Sequence, residues 1–160
     1  MLKGNNFFQK VVVGLALVPL ARGSGVAGTG ATISEPWKIG RQISFLLIGG
    51  AQGTAATATC VVQIQKRSDS SWESMLDEAG NALAFTASKL ADTAEIENGT
   101  ILGTVDLSKV SATTHKAMRI LYTRGAQAVN TDFGAAYIIS DLYKTPSTQT
   151  DDLFSKTIPS

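Results

Sequence analysis

The sequence predicts an all-β fold, an antiparallel β-sandwich or jelly-roll-like barrel with extended N- and C-terminal arms. Apolar residues recur with period two in segments of strand length, as in Ile43, Phe45 and Leu47 or Cys60, Val62 and Ile64. Clusters of glycine, serine and threonine separate those segments. No stretch keeps a long 3.6-residue apolar period, which disfavours parallel architectures, since these need crossover helices.

Taken in order, residues 1–10 set the adjacent Phe7 and Phe8 in an otherwise polar stretch and read as an N-terminal arm. Residues 11–18 read as a buried strand, because three consecutive valines favour extended backbone. Residues 41–48 and 57–66 read as half-buried strands, and the glycine cluster 49–53 between them reads as the joint of an antiparallel pair. Ser68-Asp69-Ser70-Ser71 is a polar turn leading into a short strand over 72–76. The Ala-rich stretch 81–97 reads as a loop with room for a single helical turn. Residues 100–107 give a strand and 108–113 a turn. Residues 116–123 give another strand, with Met118, Ile120 and Tyr122 on one face.

In the last strand Phe133, Ala135, Tyr137 and Ile139 alternate with Gly134, Ala136 and Ile138, so both of its faces are expected to be covered. The result is six or seven strands in one domain over residues 11–145. Residues 146–160 form an extended C-terminal tail, continuing a polar stretch with little apolar area to order itself. Leu153, Phe154 and Ile158 are the anchors it offers to a neighbouring subunit, and Phe7 and Phe8 offer the same from the other end. Two arms on one compact domain point to exchange between copies.

Composition narrows the function. Ala, Gly, Ser and Thr make up 66 of the 160 residues, and charged residues only 17%, against about 25% in an average domain. Such a surface tolerates protein contact. Fourteen basic and thirteen acidic residues are mixed along the chain for a net charge of +1. That leaves no basic footprint for phosphate, so no nucleic-acid partner is expected. Cys60 is the sole cysteine, which excludes an intrachain disulfide framework. With His115 the sole histidine, imidazole and thiolate ligands are too few for an ordinary zinc or copper site, while a carboxylate-only calcium site stays formally open. Lys3 and Lys10 precede an apolar run over 11–21, as in a secretory leader, but Pro19 and Arg22 interrupt the small-residue exit. The run is also too short to span a bilayer, and no membrane partner is expected.

The motifs that carry chemistry elsewhere lack their context here. Gly23-Ser24-Gly25-Val26-Ala27-Gly28 spells G-x-G-x-x-G, yet the continuation to Glu35-Pro36 is not a helix, and the bland reading is a glycine-rich loop. His115, the one candidate general base, stands at a strand end without a nucleophile elbow. Cys60 shares a face with Val62 and Ile64 and reads as an inert buried thiol. Asp77-Glu78 and Asp151-Asp152 are neighbours in sequence, whereas a glycosidase needs carboxylates facing each other across a cleft. Asn98-Gly99-Thr100 is a formal glycosylation sequon that also suits a turn entering a strand. Trp37 and Trp72 suit core or interface anchoring, with a sugar-binding face as the alternative, and Trp37 is taken as an interface candidate. No catalytic residue, cofactor or metal is therefore expected, and the chain reads as a non-enzyme.

The apolar first segment, the Gly-rich loop 23–30, Arg41-Gln42-Ile43-Ser44-Phe45-Leu46-Leu47-Ile48 and Val61-Val62-Gln63-Ile64-Gln65 form one series. Ser71-Trp72, Gly103-Thr104-Val105-Asp106-Leu107-Ser108 and Ala135-Ala136-Tyr137-Ile138-Ile139-Ser140-Asp141 continue it. This pattern over residues 11–145 resembles the small β-sandwich structural proteins of tailed bacteriophage heads, several of which are decoration or cement proteins. The tail, 146–160, departs from it. The resemblance implies a virion protein made in the host cytoplasm and added to the outside of the capsid. There it would act as a homotrimer that clamps neighbouring copies of the major capsid protein. A head-to-tail connector or tail-tube subunit is the alternative within the virion, and a secreted carbohydrate-binding module the alternative outside it.

Overall fold

A computed structural model describes residues 11–22, 27–49, 58–86, 100–124 and 131–143. Ten strands follow in order: β1 (Val12–Arg22), β2 (Ala27–Thr29), β3 (Ile33–Ser34), β4 (Gly40–Gly49), β5 (Ala58–Lys66), β6 (Trp72–Ser74), β7 (Ala84–Thr86), β8 (Thr100–Asp106), β9 (His115–Arg124) and β10 (Thr131–Leu142). Two 3-10 turns, Pro36–Lys38 and Leu107–Lys109, complete the elements among the described residues. The strand pairings among the described residues are antiparallel.

The strands make two sheets. One is four-stranded in the order β1-β10-β4-β8; the other runs β2-β9-β5-β6, with β3 also on β9 and β7 also on β5. Since β2 and β3 share one partner, and β6 and β7 another, the ten strands occupy eight positions. Numbered by position, the sheets read 1-8-3-6 and 2-7-4-5. This is the order of two interlocked Greek keys, a jelly roll, so the all-β antiparallel sandwich expected from the periodicity is the fold observed.

Alternation builds the core. Ile43 and Phe45 of β4, Val105 of β8 and Ala135 and Ile139 of β10 project from one sheet. Cys60, Val62 and Ile64 of β5 and Met118, Ile120 and Tyr122 of β9 meet them from the other. Tyr122, Phe45, Leu17, Ile43, Leu107, Met118 and Ile120 are fully buried. The side chains at alternate positions, such as Gln63, Gln65 and Arg119, stay half-exposed on the outside. Polar residues shape the turns: Asp69 accepts from the Ser71 backbone N–H at 2.9 Å and hydroxyl at 2.7 Å. Asp106 does the same for Ser108 at the head of the second 3-10 turn.

Three sequence expectations need correction. β4 and β5 do not pair with each other; they lie in different sheets and are not the two strands of a hairpin. Alternation specifies which side of a strand is buried, and two strands facing each other across a core show the same pattern as two side by side. Residues 84–86, taken as loop or helical turn, pair with β5 through Cys60 opposite Phe85, since tertiary pairing overrides the helical propensity of alanine. The glycine-rich segment 23–30 holds the short strand β2, which pairs with β9, and β3 just after it pairs with β9 as well. Gly28 therefore lies in a strand opposite Tyr122 and opens no helix.

Candidate functional site

A group of charged side chains gathers at one end of the sandwich. Lys66 ends β5, His115 begins β9, Glu73 sits in β6, and Arg67 follows in the turn after β5. Together with Ser68, Asp69, Thr113 and Thr114 they line an open cleft of about 770 Å³. Glu73 bridges two strands there: Lys66 Nζ donates to Oε2 at 2.7 Å, and His115 Nε2 lies 2.9 Å from Oε1. Glu35 bridges similarly, taking Lys38 Nζ at 2.7 Å and the Arg67 guanidinium on its other oxygen. Arg67 Nε also donates to the Ala112 carbonyl at 3.0 Å, tying the loops together.

The pairing sets the electrostatics. The Lys66 ammonium, and after it the His115 ring, holds the Glu73 carboxyl below its usual range. Hydrogen bonds from Lys38, and after it Arg67, do the same for Glu35; hydrogen bonding to Glu73 in turn raises Lys66. The ordering extends to the backbone, since the non-glycine residues Glu35 and Ser70 adopt φ of 43° and 60° beside the cleft.

Thr114 Oγ1, the His115 ring and Glu73 form a hydroxyl–imidazole–carboxylate chain, with Thr114 Oγ1 2.8 Å from Nδ1. However, the Ser111 carbonyl stands 3.3 Å from that same Nδ1, and Thr114 Oγ1 also donates to this carbonyl at 3.3 Å. Nε2 faces Glu73 and ties β9 to β6, while the Thr114 hydroxyl already donates to the Ser111 carbonyl, so its proton is not offered to the ring. Among the described residues no group of three or more His, Cys, Asp or Glu side chains is placed to hold a metal ion. No helix among them is long and apolar enough to cross a membrane.

Of the residues singled out in the sequence, Cys60 is 1% exposed, and burial pushes its thiol up to about 12. Trp37 lies under the first 3-10 turn, 7% exposed and within the core cluster. The chain's own interior takes up its ring, leaving little of it for another molecule. Trp72 is half-buried on the outside of the six-stranded sheet, with the Arg119 guanidinium 4.0 Å from its ring centre. Phe7, Phe8, Leu153, Phe154 and Ile158 lie outside the described residues.

The outer face of the four-stranded sheet is a surface that the sequence reading did not single out. Val13 and Leu15 of β1, Leu46 of β4, and Ala136 and Ile138 of β10 face away from the core. The register aligns them in rows: Val13, Ile138 and Ser44, then Leu15, Ala136 and Leu46. Leu15 and Val18 are 38% and 51% exposed. Ser44 and Thr104 share a hydrogen bond of 2.8 Å on this face; Asp106, opposite Gln42, is a described charge on it, and Arg41 and Asp141, 3.8 Å apart, lie at its rim. The signal was the absence of polar alternation in residues 11–18 and 134–139.

No family profile matches this chain. No curated protein matches it either. Three solved structures share similarity in shape. A chain of infectious bursal disease virus, Gx strain, aligns with TM-score 0.49 and 9% identity over 82% of this chain and 32% of that one. The VP2 subviral particle of the same virus gives 0.42 and 8% over 82% and 32%. Its Gt strain gives 0.41 and 8% over 82% and 33%. The chain spans about a third of the length of these proteins.

Proposed function

We propose that this protein is a virion structural protein, a decoration or cement protein that binds the outside of a tailed-phage capsid as a homotrimer and bridges neighbouring copies of the major capsid protein. The observation that carries the reading is the pairing of a jelly-roll strand order with an outer face on the four-stranded sheet that is apolar over Val13, Leu15, Val18, Leu46, Ala136 and Ile138. Jelly rolls serve viral capsids, lectins and cupins alike, so the fold argues by analogy only and the surface has to decide. Lectin-type binding fits less well, because Trp37 is buried and Arg119 covers one face of the Trp72 ring. The reactive groups support a structural role as well: the Cys60 thiol is inert, and the cleft carboxylates are engaged by cations. A protein that acts through contact needs stable surfaces, and many identical contacts on a shell strengthen one another through avidity.

Density-purified particles of the virus that encodes the chain provide the test. Mass spectrometry should find it in a fixed ratio to the major capsid protein, and adding purified protein to particles that lack it should raise the temperature at which they release their genome. Absence from purified particles would sink the proposal. Recovery in a ring at one vertex or in the tail would replace decoration with the connector or tail-tube role.

A further inference from the structure

We infer that Arg119 and Trp72, on the outer face of the six-stranded sheet, form a receptor for a carboxylate carried by a partner protein. The inference goes beyond the reading above: it assigns a contact chemistry that a virion role does not specify, and it holds or fails on the purified chain, whether or not that chain joins a particle.

Strand alternation builds the site. The outward positions of β9, β5 and β6 fall in rows: Leu121 beside Val61, then Arg119 beside Gln63 and Ser74, then Ala117 beside Gln65 and Trp72. Thr29, Ser34, Thr59 and Thr123 extend the same face. In these rows Arg119 is the one charged side chain among the described residues, and β9 and β5, which carry it and Gln63, are the two inner strands of the sheet.

The charge is held in place. Its guanidinium lies over Trp72, 4.0 Å from the ring centre, and Nε donates to Gln63 Oε1 at 2.8 Å. The ring fixes where the group sits and Gln63 occupies one edge of it. The N–H groups of the two terminal nitrogens are left without a carboxylate among the described residues. The cleft at the end of the sandwich behaves differently, since Glu73 takes Lys66 and Glu35 takes both Lys38 and Arg67. Arg119 is also half-buried, and this burial holds its pKa below the usual guanidinium value. A cation kept partly from water with no counter-charge gains from one that arrives.

The shape of the group selects the ligand. A guanidinium fork meets a carboxylate through two parallel hydrogen bonds, and it is weakly hydrated, so little is lost when water leaves. Half-buried Leu121 and Val61 in the adjoining row shield one side of the pair and strengthen it. Phosphate carries up to two charges and is met by clusters of arginine, whereas this face supplies a single charge. A free small acid needs a hollow that encloses most of its surface; the face is an open sheet, and the cleft lies elsewhere, around Lys66 and His115. A protein delivers its acidic side chain together with the surface that covers it, and Trp and Arg are the residues that dominate such contacts.

The test titrates the full chain with a capped tetraglutamate peptide at low ionic strength, following the Trp72 indole and Arg119 Nε–H signals by NMR. Both should shift and saturate with a Kd of about 10 mM or tighter. Arg119→Gln should weaken binding at least about fivefold, the scale of an exposed ion pair. Arg119→Lys keeps the charge without the fork and should lose about as much. Gln63→Glu supplies a carboxylate within the chain, so it should abolish peptide binding and raise the melting temperature, and it keeps the test readable if the Arg119 variants fold poorly. No saturable shift at the two groups, undiminished binding by Arg119→Gln, full retention by Arg119→Lys or undiminished binding by Gln63→Glu would each overturn the inference. Inorganic phosphate or free glutarate binding as tightly as the peptide would overturn it too, the first by the ligand's chemistry and the second by its source.

Discussion

Gly30 joins the two sheets, and replacing it with alanine tests whether that junction is as tight as the geometry says. The residue is buried between β1 and β9, where its N–H donates to the Ile120 carbonyl at 2.8 Å. The next N–H, of Ala31, donates to the Ala16 carbonyl, also at 2.8 Å. A methyl group on Gly30 would stand 2.6 Å from the Ala16 oxygen and 2.7 Å from the Ile120 oxygen. Both obstacles are backbone atoms of paired strands, so neither can swing aside as a side chain would. The chain must retreat and stretch both of its hydrogen bonds. Leaving buried partners unsatisfied costs about 1–3 kcal/mol per group, which gives about 3–5 kcal/mol for Gly30→Ala, in the range of a disrupted core. The control is Gly80→Ala, where φ is +83° and no atom lies within 4 Å of the added carbon. Only left-handed backbone strain of about 1 kcal/mol applies there. Urea unfolding followed by tryptophan fluorescence measures both, and a Gly30→Ala cost no larger than the Gly80→Ala cost would refute the reasoning.

Other expectations follow from single residues. The buried Trp37 indole N–H has no hydrogen-bond partner among the described residues. Trp37→Phe should therefore stay within about 1 kcal/mol of wild type, while Trp37→Ala costs about 3–5 kcal/mol; equal losses in chemical denaturation would count against this placement. Cys60 should resist a thiol reagent at pH 8 until the protein unfolds, because it is 1% exposed and its thiol is raised to about 12; rapid labelling of the native protein contradicts that. Glu35, Glu73 and Asp69 all have carboxyls depressed below ordinary values of 4.5, 4.5 and 3.8. As pH falls the unfolded chain takes up protons first, so their stabilisation is complete above that range and is lost as pH drops through it. Glu35→Gln/Glu73→Gln should flatten this acid limb in thermal melts recorded across pH, and an unchanged limb would show that the pairs contribute nothing.

How much was legible in the sequence depends on whether a feature is local. The strands with a clear buried side, 41–48 and 57–66, were found within a residue or two of Gly40–Gly49 and Ala58–Lys66, because alternation is written in each segment separately. Which strands pair is not written there. Ile43 and Val62 look alike in sequence, yet they come from opposite sheets and meet in the core. The short β2, β3 and β7 escaped notice because two or three residues hold no period, and only partners on β9 and β5 make them strands. The charged end was equally hidden. His115, Glu73 and Glu35 are scattered in sequence and acquire partners only when β6, β9 and the first 3-10 turn converge.

The same non-local pairing links the fold to the assembly proposed for it. β1 pairs with β10, Val12 opposite Ile139, so the four-stranded sheet is complete only when the last strand arrives, and closing so distant a contact makes for slow folding. That closure sets the two ends of the described chain side by side at one rim of the apolar face. Leu15 and Val18, on the strand that begins at this rim, are exposed in an element whose other side is core. A polar outward face would have served the sheet equally well, as Gln63 and Gln65 do on β5. Apolar side chains there contribute nothing to the solubility of a monomer, and burial against another subunit is what would give them a stabilising role.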